Sequence, residues 1–89
     1  MPRKKNTMLR TPDGIIDLLE LNTVQPTETG VAMLRGDMLQ CFIKISDEQL
    51  RRKISKLVSD CLYAAKNGEK FDEIDWAKYG LYFDVEETV

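Results

Sequence analysis

The sequence contains no histidine. Histidine is the commonest general base and metal ligand near neutral pH, and the usual partner of a serine or cysteine nucleophile. The two cysteines do not form a Cys-x-x-Cys pair, so a structural zinc site is not expected. The five glycines lack the spacing of a P-loop or of a dinucleotide-binding fingerprint. These absences predict a protein that is not an enzyme and that has no cofactor.

Long apolar runs are also missing, since no stretch approaches the ~20 residues that a membrane-spanning helix requires. The opening MPRKKNTMLRTP has basic residues but no apolar stretch behind them, unlike a secretory signal. With 43% hydrophobic and 31% charged residues, the 89-residue chain has the composition of one small globular domain, predicted over residues 11–89. Cys41 and Cys61 lie within apolar patterns and are predicted to be reduced core residues, which favours a cytoplasmic location.

Charge is unevenly distributed along the chain. Residues 1–10 contain four basic residues and no acidic one, and they are predicted to form a flexible basic arm. The remainder therefore holds nine of the 13 basic residues and all 15 acidic ones. The stretch from Glu69 to Glu87 is the most acidic. The sequence thus predicts an acidic body that is preceded by a short basic segment.

The first half of the body predicts one short helix and one loop. In TPDGIIDLLELN, Thr11 suits the N-cap, Pro12 the first helical position, and Asp13 the positive end of the helix dipole. The apolar residues that follow would cover one broad helical face. The polar stretch NTVQPTETG, residues 22–30, contains a proline and a glycine and predicts a loop.

Residues 31–45, VAMLRGDMLQCFIKI, predict a β-hairpin that turns at Gly36-Asp37. Pairing across this turn would place Leu34 opposite Leu39 and Ala32 opposite Cys41. The buried face would then hold Ala32, Leu34, Leu39, Cys41, Ile43 and Ile45, and the other face Met33, Arg35, Met38 and Gln40. The alternative is a helix using Val31, Leu34, Met38, Cys41 and Ile45, which would make the fold all-α.

The stretch SDEQLRRKISKLVSDCLYAAKNG, residues 46–68, predicts a long amphipathic helix. Ser46 and Gln49 have the spacing of a capping box, and Asn67-Gly68 is typical of a left-handed helix end. The apolar residues recur at steps of three and four and form one stripe: Leu50, Ile54, Leu57, Val58, Cys61, Leu62 and Ala65.

The last part of the chain contains five of the seven aromatic residues. FDEIDWAKYG predicts a short helix that ends at Gly80, and LYFDV predicts a C-terminal strand. The resulting fold class is α+β, with the long helix packed on a small antiparallel sheet. Core packing would explain the aromatic residues, but tryptophan and tyrosine also anchor many interfaces. The candidate partner-binding residues are Trp76, Tyr79, Tyr82 and Phe83.

A basic stripe on the long helix gives a second set of candidates, because basic helices and flexible basic arms recur in DNA-binding proteins. The residues that could contact nucleic acid are Arg3, Lys4, Lys5, Arg10, Arg52 and Lys56. Ion pairs within the helix, Asp47 with Arg51 and Glu48 with Arg52, would explain the stripe without a ligand. The sequence pI near 5.1 also disfavours DNA binding.

Three functions follow from these patterns. The favoured one is a small non-enzymatic regulator or inhibitor that docks on a larger protein partner. The alternatives are a small DNA-binding transcriptional regulator and an acidic inhibitor that imitates nucleic acid. A homodimer is expected as well, because one helix on a small sheet leaves apolar surface that a symmetric copy could cover.

Overall fold

The computed structural model describes residues 7–81, and the predicted arm residues 1–6 and most of the predicted C-terminal strand lie outside that range. The described chain forms a two-stranded antiparallel sheet, a three-stranded antiparallel sheet and one long helix. This is the α+β class that the sequence predicts. No helix among residues 7–81 is both long and apolar enough to cross a membrane.

The chain begins with a β-hairpin where the sequence predicts an arm and a short helix. Strand β1 (Met8–Thr11) pairs with β2 (Gly14–Asp17), and Thr11 lies opposite Gly14. The Thr11 hydroxyl accepts a bond from the Asp13 amide (3.1 Å) and donates to the Gly14 carbonyl (2.7 Å), so it closes a turn instead of capping a helix. Gly14 has a φ of 135°, which favours glycine. The predicted N-terminal helix is therefore wrong, and residues 8–10 of the predicted arm lie in β1.

The hairpin leads into a short 3-10 helix, Leu18–Glu20, and then into the larger sheet. This sheet has the order β3 (Thr23–Pro26), β4 (Gly30–Arg35) and β5 (Met38–Lys44). The prediction of a loop over residues 22–30 is wrong for residues 23–26, which form β3. Its proline closes an edge strand, a position where proline is tolerated in sheets.

The β4–β5 hairpin confirms the predicted turn, but its register differs from the predicted one. Leu34 lies opposite Leu39, as predicted, and a β-bulge next to this pair then sets Met33 opposite Cys41. A shift of one residue moves side chains to the other face of a strand. Met33 is consequently fully buried, whereas Leu39 is 57% exposed. The hairpin also shows that the all-α alternative is wrong.

Two hydrogen bonds tie the first hairpin and the segment after it to the larger sheet. The Phe42 amide on the outer edge of β5 donates to the Asp13 carboxylate (3.3 Å), and the Gly36 amide donates to the Asn22 side chain (2.7 Å). An exposed ion pair joins Glu20 to Arg35 (2.6 Å). The β4–β5 turn is therefore held beside the 3-10 helix Leu18–Glu20.

Helix α1 (Glu48–Lys66) confirms the predicted long helix, although its N-cap is Asp47 and not Ser46. The Asp47 carboxylate accepts bonds from the amides of Gln49 (2.9 Å) and Leu50 (3.4 Å), so the predicted capping box does not form. Gly68 ends the helix with a φ of 71°, as expected of a left-handed stop. The predicted stripe faces the core, with these members buried: Ile54, Val58, Cys61 and Ala65.

The core lies between α1, the larger sheet and the inner face of the first hairpin. Its buried apolar side chains come from most elements of the described chain, and β2 and β3 add the partly buried Ile16 and Val24. The last of these elements is a second 3-10 helix, Trp76–Tyr79, which ends at Gly80 (φ 76°) where the sequence predicts a helix end. The buried apolar residues are Leu9, Leu18, Leu21, Val31, Met33, Cys41, Ile43, Ile45, Ile54, Val58, Cys61, Ala65 and Trp76.

Candidate partner-docking groove

An open groove of about 460 Å³ lies between the second half of α1 and residues 70–79, and we call it the α1 groove. Its apolar lining comes from both walls: Leu57, Cys61, Ala64, Phe71, Ile74 and Tyr79. Its charged lining consists of Asp60, Lys70, Asp72, Glu73, Asp75 and Lys78. The groove thus combines an apolar floor with a charged rim.

Residues 70–79 are held in place by one bond to the helix and one to β1. The Cys61 thiol donates a weak bond to the Asp72 carbonyl (3.8 Å), and the Trp76 indole donates to the Arg10 carbonyl on β1 (2.7 Å). Phe71 and Ile74, on the same segment, are partly buried and pack against the core. Since Gly68 reverses the chain after α1, the segment returns along the helix and forms the second wall of the groove.

The electrostatic character of the groove is negative. Burial is the main reason why the pKa of the Cys61 thiol rises from 9.0 to about 11, and the carboxylates of Asp60, Glu73 and Asp72 raise it further. Burial likewise raises the pKa of the Cys41 thiol to about 11. Both thiols are buried and unpaired, as the sequence predicts, and they stay protonated at neutral pH.

Tyr79 stands at the edge of the groove with its ring half-buried. The ammonium groups of Lys53 and Lys78 lie 5.6 and 5.7 Å from the ring centroid. These distances suit cation–π interactions, in which the face of an aromatic ring attracts a positive charge. Of the four candidate partner-binding residues, Tyr79 is the one that the described structure places at the surface of the groove.

Trp76 has a different position from the one expected of an interface anchor. Its side chain is only 2% exposed and belongs to the core, where its indole nitrogen bonds to the Arg10 carbonyl. The burial of Trp76 agrees with core packing, the alternative to a partner-binding role that the sequence leaves open for the aromatic residues. Tyr82 and Phe83 lie outside the described residues.

The basic candidates do not form one continuous surface in the described chain. Arg52 and Lys56 are exposed on α1, where Arg52 pairs with Glu48 (3.0 Å) and Lys56 with Asp60 (3.4 Å). Arg10 lies on β1, and Arg3, Lys4 and Lys5 lie outside the described residues. Each described cation of the stripe thus has a carboxylate beside it, which lowers the attraction for phosphate.

The two ion pairs predicted at the start of α1 had different outcomes. The pair between Glu48 and Arg52 is confirmed. The other is wrong, because the Arg51 guanidinium donates to the carbonyls of Ile45 (3.0 Å) and Ser46 (2.8 Å) instead of to Asp47. Arg51 thereby fastens the helix start to the end of β5.

A second exposed feature was not predicted from the sequence. Large apolar side chains are exposed on β2, on the 3-10 helix after it and at the start of β5, and we call them the apolar patch: Ile15, Leu19, Met38 and Leu39. The contacts between β2 and β5 and the Glu20–Arg35 ion pair bring these elements together. The bulge that exposes Leu39 leaves no recognisable signal in the sequence.

Nothing among residues 7–81 suggests a metal centre, since no group of three or more acidic, cysteine or histidine side chains is suitably placed there. Comparison with protein-family models, curated proteins and solved structures found no match to this chain. The candidate site therefore has to be interpreted from its own geometry.

Proposed function

We propose that this protein is a small non-enzymatic regulator that docks on a larger protein partner through the α1 groove. The observation that supports this proposal is the arrangement of the groove, in which an apolar floor is surrounded by charged side chains. Protein interfaces have the same anatomy, an apolar centre within a polar rim. A reducing compartment such as the cytoplasm suits the two unpaired thiols.

Tyr79 is the residue in this groove best suited to anchor a partner. Tyrosine is enriched among residues that dominate binding energy, since it offers a large apolar ring and a polar hydroxyl at a small entropic cost. The two lysines beside the ring restrict its motion further. A partner that covers Tyr79 would also reach Ile74 and Glu73, which line the same groove.

Tyr79→Ser and Glu73→Arg are each expected to abolish capture of the partner in a pull-down from native lysate treated with nuclease. Tyr79→Ser removes the anchor, and Glu73→Arg reverses a rim charge without touching the core. Tyr63→Ser is the matched control for the tyrosine, because Tyr63 is 72% exposed on α1 and does not line the groove. Mass spectrometry of the captured proteins gives the readout.

Unchanged capture by folded Tyr79→Ser and Glu73→Arg proteins would refute docking through the groove. If the Tyr79→Ser protein loses its helical circular dichroism, it is unfolded and says nothing about docking. The Glu73→Arg protein then provides the test by itself, because the Glu73 side chain is exposed. Capture that disappears on nuclease treatment would favour the DNA-binding alternative. Competition between nucleic acid and the protein for one partner would favour the acidic inhibitor.

We also propose that the protein forms a homodimer, and the apolar patch supports this. Large exposed apolar side chains are candidates for an interaction surface, and two-fold dimers are the commonest assembly of identical chains. The double substitution Met38→Ser/Leu39→Ser is expected to shift the sedimentation mass from dimer to monomer. Asp37→Ser, at an exposed position on the same turn, is the control. A wild-type mass of one chain at all concentrations would contradict the proposal.

A further inference from the structure

We infer that the α1 groove binds a basic amphipathic peptide segment of its partner, with an apolar side chain on the floor and lysine or arginine residues against the rim. This inference rests on the proposed function and adds the chemistry of the occupant. It follows from two independent properties of the groove, the apolar contact that its floor offers and the excess of carboxylates along its rim.

The floor supplies the apolar contact. Leu57, Phe71 and Ile74 are partly buried and pack against the core, so each presents its remaining surface from a fixed position. The groove volume of about 460 Å³ lies within the range of roughly 300–1,000 Å³ that is typical of binding pockets. An apolar side chain that enters would remove these partly exposed apolar surfaces from water, which favours binding.

The rim supplies the charge preference, since four carboxylates line the groove against two lysines. Asp60 is engaged by Lys56 (3.4 Å), and Lys78 lies over the Tyr79 ring. Within residues 7–81, the side chains of Asp72, Glu73 and Asp75 make no hydrogen bond or ion pair. These three carboxylates are thus available to an incoming cation.

A negative rim also decides against other occupants of the same groove. Phosphate groups of a nucleic acid and the side chains of an acidic peptide would both be repelled by the carboxylates. A basic peptide, by contrast, gains from opposite charge along the rim, which speeds and orients association. Its apolar residue then determines how long the complex lasts.

The test uses three labelled 12-residue peptides and fluorescence anisotropy with the full-length protein. The first has a phenylalanine–leucine centre flanked by lysines and arginines. The second keeps the centre but has glutamates at the flanks, and the third keeps the basic flanks but has serines at the centre. The first peptide is expected to bind at least about 10-fold more tightly than either of the others, a difference of about 1.4 kcal/mol. Added salt should weaken its binding.

A charge-matched pair of variants locates the binding site. Asp72→Asn/Glu73→Gln is expected to weaken binding of the first peptide by about fivefold to 10-fold, because both rim carboxylates are lost. Glu28→Gln/Asp37→Asn removes the same net charge at exposed positions away from the groove, and it should leave the affinity unchanged. The emission of the single tryptophan reports whether each variant is folded.

Three results would overturn the inference: equal binding of all three peptides, tighter binding of the acidic peptide, or equal weakening by both double variants. The outcome for the proposed function is separate. If the basic peptide fails to bind while partner capture still depends on Tyr79 and Glu73, only the chemistry of the occupant is wrong. If capture is independent of both residues, docking through the groove is wrong as well.

Discussion

Replacing Trp76 by alanine is expected to lower the free energy of unfolding by about 3–5 kcal/mol, the usual cost of truncating a large buried aromatic side chain. Two losses add up at this position. The indole ring leaves a cavity in the core, where it is 2% exposed, and the Arg10 carbonyl loses its bond from the indole nitrogen. Loss of the hydrogen bond itself contributes about 0.5–1.5 kcal/mol of this cost.

Urea denaturation followed by circular dichroism of α1 measures this effect, since the fluorescence of the only tryptophan is lost in the variant. Tyr63→Ala is the matched control, because Tyr63 is an exposed aromatic residue and its loss should change stability by less than about 0.5 kcal/mol. The free energy of unfolding of a small domain is roughly 5–15 kcal/mol in total. The Trp76 variant should therefore unfold at a clearly lower urea concentration. Equal midpoints for both variants would mean that Trp76 is not a core residue.

Gly30→Ala is the second substitution with a large expected effect, about 3 kcal/mol of destabilisation. Gly30 lies opposite Lys44 in the β4–β5 ladder, where a Cβ atom would overlap the carbonyl oxygen of Ile43. It would also lie 2.8 Å from the ring of Phe42. Because the nearest obstacle is backbone, a change of side-chain rotamer cannot relieve the clash. Overpacking of this kind typically costs about 1–3 kcal/mol and reaches more when backbone must move.

The neighbouring residue provides the control for Gly30. Thr29 is exposed, and its carbonyl, which accepts the Ile45 amide (2.9 Å), is retained in Thr29→Ala. That variant should therefore differ from the wild type by no more than about 0.5 kcal/mol. Thermal melts of the two variants give the comparison. If Gly30→Ala melts at the wild-type temperature, the two strands do not approach as closely as described.

Features that depend on local patterns could be predicted from the sequence. The apolar stripe of α1 recurs at helical steps, and its left-handed end carries the expected Asn67-Gly68 pair. The turn at Gly36-Asp37 also follows from local chemistry. Each of these features is specified by a few neighbouring residues, so tertiary contacts did not override them.

The errors arose where short segments satisfy two patterns at once. Thr11, Pro12 and Asp13 suit a helix start, but the same threonine can close a two-residue turn, and strand pairing between Leu9 and Ile16 favours the turn. At the helix start, both Ser46 and Asp47 are good capping residues. The choice between them depends on where β5 ends, which the sequence does not indicate.

The candidate site could be predicted only in part. The density of aromatic residues points equally to Tyr79, which lines the groove, and to Trp76, which is buried, because composition does not distinguish a buried ring from an exposed one. Leu57 and Ile74 were not singled out, although both line the groove. Their role depends on the path of the chain after Gly68, which brings the two walls together.

The bond from the Phe42 amide to the Asp13 carboxylate bears on how copies of this protein can meet. An unprotected outer strand is a template on which other chains polymerise through their backbones. Here the Asp13 carboxylate accepts a bond from the backbone amide of Phe42 on β5, and the first hairpin lies beside this strand. Backbone pairing of a second molecule along β5 is consequently hindered at Phe42, so we expect association through the backbone of this strand to be disfavoured.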